Sequence, residues 1–150
     1  MSLVDSLPAR GELKRKVDSI FIHCSDTPAG MDIGRDEIDQ WHKERGWSGI
    51  GYHFVVRRDG TVELGRDVQI KGAHAKGHNA RSIGVCIVGR GQYANHQELK
   101  MFQLVALLCE RYGLKVGQVI GHHEVDPGKE CPMMNMGTVR SMLRSMGVEV

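Results

Sequence analysis

No stretch of this 150-residue chain approaches the run of about 18 apolar residues that a bilayer-spanning helix needs. Met1 to Lys16 is polar and charged, without the basic and apolar regions of a secretory leader, so no export signal is expected. The four cysteines, Cys24, Cys86, Cys109 and Cys131, include no CxxC pair, and free thiols in a reducing cytosol are the expectation. No HExxH occurs, which excludes the helix-borne zincin arrangement. The formal charge of +2 is small and the Lys and Arg residues are scattered, so a nucleic-acid surface is not expected. There is no internal repeat and no low-complexity segment.

What remains is a chain of the length of one domain with a sizeable core. Residues 1–16 read as an N-terminal arm, with a short helix at most, and residues 17–150 as the domain proper. Lys16 to Cys24 reads as a strand through Ile20-Phe21-Ile22, ending at His23, and Ser25 to Gly34 as a loop. Arg35 to Arg45 reads as a helix closed by Gly46. Tyr52 to Val56 and Thr61 to Leu64 form a hairpin across Asp59-Gly60, and Ser82 to Val88 is another strand. Asn95 and Glu98 open a helix that runs to Tyr112 before Gly113. Val116 to Ile120 is a short strand, and Thr138 to Met146 the last helix. Strands alternating with helices, plus one hairpin, predict an α/β fold: a single domain with a central mixed sheet flanked by helices.

The chemistry concentrates in three separated segments: Ile22-His23-Cys24, Gly51 to Phe54, and Gly121 to Pro132. The last holds two imidazoles, an ammonium and a thiol within a dozen residues. Two nitrogens and a sulfur make a good zinc set, and three protein ligands leave a fourth position open for water, as hydrolysis requires. Among eight histidines not all are ligands. His42 and His96 read as ordinary helix residues. His53 alternates with Tyr52 along a strand, so if Tyr52 faces the site His53 is structural. His23 stands out because it ends an apolar strand just before a polar loop.

The runs Phe21-Ile22-His23-Cys24-Ser25, Gly51-Tyr52-His53-Phe54, Gly72-Ala73-His74-Ala75-Lys76-Gly77, Ser82-Ile83-Gly84-Val85 and His122-His123-Glu124-Val125 follow one another in order. In them the chain resembles the zinc N-acetylmuramoyl-L-alanine amidases, above all the short phage lysozymes that are amidases by chemistry, whose fold peptidoglycan recognition proteins share. The likeness spans about Val17 to Arg144. It implies one Zn2+ per chain on His23, His122 and Cys131, with Tyr52 and Lys129 as catalytic residues and His74 and Asn79 lining the substrate groove. His123 becomes a neighbour of the site.

The activity implied is hydrolysis of the amide between N-acetylmuramic acid and the L-alanine of the stem peptide. Zinc lowers the pKa of its water and polarises the carbonyl; Lys129 stabilises the oxyanion and Tyr52 helps shuttle a proton. After Cys131-Pro132, relatives commonly carry a small residue, an aromatic and an aspartate, where this chain has Met133-Met134-Asn135. Loss of that carboxylate is expected to weaken support for the metal ligands. The alternative is a module of the same fold that grips peptidoglycan without cutting it, or a regulator that binds another protein through the arm. Cys131, Tyr52 and Lys129 together favour the enzyme. The expected partner is bacterial peptidoglycan and the expected state a monomer. Synthesis is expected in the cytoplasm, with action on the cell wall after release.

Overall fold

The structure, a computed structural model, describes residues 2–150. Its strands are β1 (Ser19–Cys24), β2 (Phe54–Val56), β3 (Val62–Leu64), β4 (Ser82–Ile87) and β5 (Val119–Gly121). They form one sheet in the order β3-β2-β4-β1-β5. β2, β4, β1 and β5 run parallel, and only the edge strand β3 is antiparallel. The mixed sheet of an α/β domain is therefore as expected. β1 and β4 are almost wholly buried, which explains why both read as near-continuous apolar runs.

Four helices cover the sheet: α1 (Ser2–Asp5), α2 (Arg35–Glu44), α3 (Asn95–Tyr112) and α4 (Met136–Ser145). Ile20, Ile22, Val85 and Ile87 form one cluster with Val4 of α1, Leu104 and Leu108 of α3, and Val139 and Leu143 of α4. The opposite face is smaller: Val55, Cys86 and Val88 meet Ile38 of α2 and Ile50. By strand alternation His23 shares this second face with its neighbour in register, Cys86. The large apolar layer thus lies on one side, and the face behind α2 is free to carry polar groups.

Several boundaries differ from the sequence reading. Pairing begins at Ser19 rather than Lys16, and at Phe54 rather than Tyr52. A 3-10 turn occupies Val116–Gln118, so β5 is only three residues long. The hairpin is where Asp59-Gly60 put it, with Gly60 at a φ of 89° and its N–H donating to Arg57 O (2.9 Å). At the start of α3 the N-cap is Ala94, not Asn95, and the returning side chain is Gln97, not Glu98. Buried Gln97 donates from Nε2 to Val88 O (2.6 Å) while its Oε1 faces Ala94 N (3.4 Å). An amide can do both; a carboxylate has no proton for the strand-end carbonyl.

The N-terminal segment, expected as an arm, is anchored to the rest of the fold through Val4, Leu7 and Arg15. Val4 and Leu7 enter the main cluster, Tyr112 donates its hydroxyl to Pro8 O (2.9 Å), and Arg111 donates to Leu7 O. Arg15 donates to Val68 O and Ser82 O (2.8 and 2.9 Å). These partners are about 50 to 100 residues away along the chain, so no local pattern announces them.

Asn135 caps α4: its side chain accepts from Thr138 N (3.1 Å). Asn and Asp cap almost equally well. An aspartate at this position would therefore keep the helix start. Asn135→Ala should lower unfolding stability by about 1 kcal/mol, and Asn135→Asp by only a few tenths. Urea titration checks this; an equal loss in both variants would contradict the capping role.

Candidate metal centre and active site

Parallel strands align their carboxyl ends, and that rim is where α/β sheets build sites. β1 ends there with His23-Cys24, and β5 ends at Gly121, so His122 follows at once. His23 is 1% exposed. Its Nδ1 lies 3.1 Å from Nδ1 of His122. Cys131 reaches the same point from the other end of the loop, and one donor atom from each of the three lies within 4.8 Å of the other two.

Cys131 is held there by backbone. Cys24 N donates to its sulfur (2.8 Å), and its carbonyl accepts from His123 N (2.9 Å) beside the His123 ring (3.2 Å). His123 thus clasps the loop through the Cys131 carbonyl. Glu124 fastens the loop outward: it accepts from Gly121 N (2.8 Å) and from both Arg140 nitrogens (3.0 and 2.7 Å). A bidentate pair of this kind fixes direction as well as distance.

The donor chemistry suits a divalent cation. Burial holds His23 well below the usual imidazole range, with His74 and His122 adding to the effect, and burial lowers His122 too. Both rings are therefore neutral at pH 7, with lone pairs available. Their mutual contact draws the Cys24 thiol down to about 7 and pushes Cys131 well up, so without a metal the charge of the pair lies on Cys24. A dication held by the two imidazoles would favour the thiolate of Cys131, the sulfur within reach of both. Two neutral nitrogens, one thiolate and an opening to solvent fit zinc.

The centre lies in a cleft of about 620 Å³ whose lining includes Tyr52, His42, Trp47, Arg45 and Lys129. The Tyr52 ring stacks obliquely 5.1 Å from His23. Burial pushes its phenol well above the ordinary value, so Tyr52 is a hydrogen-bond donor at neutral pH. Lys129 is exposed at the rim, two residues from Cys131. A groove of about 650 Å³ beside α3 and the C-terminal segment brings together no imidazoles.

The structure thus gathers His23, His122, Cys131, Tyr52, Lys129 and His74 at one cleft, but Asn79 is not among its lining. His74 is 8% exposed and lies against His23, Nδ1 to Nε2 at 2.8 Å. Asn79 holds the preceding loop by accepting from His74 N and Ala75 N, both at 2.9 Å. His53 is structural, though not by alternation, since Tyr52 and His53 precede the paired strand. Fully buried, its Nδ1 accepts from Gly84 N (3.0 Å) and Nε2 donates to Ile70 O (2.8 Å). His42 is more than a helix residue: its Nδ1 accepts from Gly51 N (2.9 Å), which fixes the backbone beside Tyr52. Sequence reasoning missed Ser82, which touches His74, although it stands in one of the quoted runs.

Comparison with known proteins agrees with this geometry. Residues 13–133 match the family model described as N-acetylmuramoyl-L-alanine amidase. The chain is 46% identical over 136 residues to the endolysin of Escherichia phage T7, covering 85% of this chain and 89% of that one. It is similar to the solved N-acetylmuramoyl-L-alanine amidase LysC from Clostridium intestinale, with 31% identity, a TM-score of 0.78 and 87% of each chain covered. It is also similar to wild-type Drosophila PGRP-LB, with 25% identity, a TM-score of 0.69, and 97% of this chain and 88% of that one covered.

The buried imidazoles make stability depend on pH. Burial lowers His42 and His53 to about 4, below the roughly 6.5 of an unfolded histidine. Between those values the unfolded chain binds protons that the native state refuses, so stability is full above about 6.5 and falls as pH drops toward 4. The urea midpoint should decline from pH 7 to pH 5; a midpoint that stays constant or rises contradicts it.

Proposed function

The chain belongs to the N-acetylmuramoyl-L-alanine amidase family, and from that premise we propose that His23, His122 and Cys131 hold one Zn2+ with which it cuts the bond between N-acetylmuramic acid and L-alanine. It is a peptidoglycan hydrolase. The observation that carries the zinc reading is the meeting of three donors, from two strand ends and a loop, within 4.8 Å of one another in an open cleft.

Zinc bound there supplies Lewis acidity and lowers the pKa of a water toward neutrality. The chain's own groups do the rest. His23 and His122 stay neutral and hold fixed directions. Lys129 extends its ammonium over the cleft and donates to the oxygen that gains negative charge as the amide carbon becomes tetrahedral. Tyr52 keeps its proton at neutral pH, so it donates a hydrogen bond to the substrate carbonyl, while the proton lost by the attacking water is the one the departing amine gains. His42 keeps the Gly51-Tyr52 backbone in place through its acceptor Nδ1.

The natural substrate is the bacterial wall, reached after release of protein made in the cytoplasm. No helix among the described residues is long and apolar enough to cross a membrane.

Metal analysis should find one zinc per chain, and none in Cys131→Ser. Digestion of purified cell wall should release new L-alanine amino termini without new reducing sugar ends; reducing ends instead would identify a glycosidase and refute the proposal. Lys129→Ala and Tyr52→Phe should retain zinc yet lose turnover by about 100- to 1,000-fold, the scale of one oxyanion donor. Unchanged rates would remove these residues from the mechanism.

A further inference from the structure

The second ring nitrogen of His23 leads to a chain of hydrogen bonds that no part of the mechanism above uses. His23 Nε2 lies 2.8 Å from His74 Nδ1, His74 Nε2 lies 3.1 Å from Ser82 Oγ, and Ser82 Oγ lies 2.7 Å from His78 O. A carbonyl oxygen only accepts, so the single Ser82 hydroxyl proton is committed to His78. Ser82 Oγ must then accept from His74, which puts the His74 proton on Nε2 and leaves Nδ1 bare. Bare Nδ1 accepts in turn from His23, whose proton therefore sits on Nε2. The nitrogen left with a free lone pair is His23 Nδ1, the one facing His122.

We propose that Ser82 and His74 are positioning residues that set the tautomer of His23, and thereby aim its Nδ1 lone pair at the metal. This rests on the reading of His23 as a ligand. The three groups are shut off from solvent: His23 and Ser82 are 1% and 0% exposed and His74 8%. The fold makes room for the relay. Ser82, Gly84 and Cys86 lie on the same face of β4 as His23 on β1, by register and alternation. A Cβ on Gly84 would sit 2.7 Å from two His74 ring atoms, so only glycine admits the imidazole there. Ser82-Ile83-Gly84 thus provides the last acceptor and the seat for the ring between them.

The test reads tautomers directly, in metal-free protein with 15N-labelled histidine, and zinc affinity by chelator competition. Wild-type His23 should carry its proton on Nε2, as should His74. Ser82→Ala should mix the tautomers and weaken zinc binding by about 10- to 100-fold, the usual effect of losing an outer partner of a ligand. Ser82→Thr keeps the hydroxyl and should restore both. A proton on Nδ1 of wild-type His23 overturns the relay without any variant, as does Ser82→Ala with wild-type tautomer and affinity. Wild-type protein with the predicted tautomer and no zinc uptake would count against His23 as a ligand while upholding the relay.

Discussion

Everything at the site depends on bringing Cys131 back to the end of β1. Two of the three donors come at little cost, because parallel pairing of β1 with β5 places His23 and the residue after Gly121 on one rim. The third must return through the loop from His122 to Cys131. A free loop of that length would leave the sulfur wandering. Here the Cys24 amide holds the sulfur, His123 holds the Cys131 carbonyl, and Glu124 with Arg140 ties the start of the loop to α4. Each contact is modest alone, and together they turn a flexible ligand into a fixed one.

The two faces of the sheet divide the work. The face under α1, α3 and α4 carries the larger apolar cluster and supplies most of the stability. The face under α2 has a smaller apolar patch, and beside it lie His23, His53 and His74, all buried and neutral. Buried imidazoles lower stability when they must be protonated, and the acid sensitivity of this fold follows from that. The gain is a set of rigid, uncharged nitrogens whose directions are set by named partners.

Much of this was legible from residues alone. His23 stood out as the end of an apolar strand before a polar loop, and Cys131 as the one thiol among imidazoles. Asp59-Gly60 marked the hairpin because few other residues tolerate that turn. The unreadable parts depend on distance along the chain. Nothing near Val4 tells that it enters the core, because α1 packs against α3, far along the sequence. Ser82 and His74 meet only because Gly84, on the same strand face, lacks a side chain. The choice of Gln97 over Glu98 as the returning side chain turns on the Val88 carbonyl just past β4, which local capping patterns do not include. For the family, order helped where periodicity did not: five short runs in sequence located the site before any strand register was known.

The whole arrangement turns on two imidazoles and one thiolate surrounding a single zinc. X-ray absorption at the zinc edge of the purified, active protein measures that shell directly. One sulfur at about 2.3 Å and two imidazole nitrogens at about 2.0–2.1 Å should appear, with one further light atom completing four. A shell without sulfur, or active protein that gives no zinc edge at all, would contradict it.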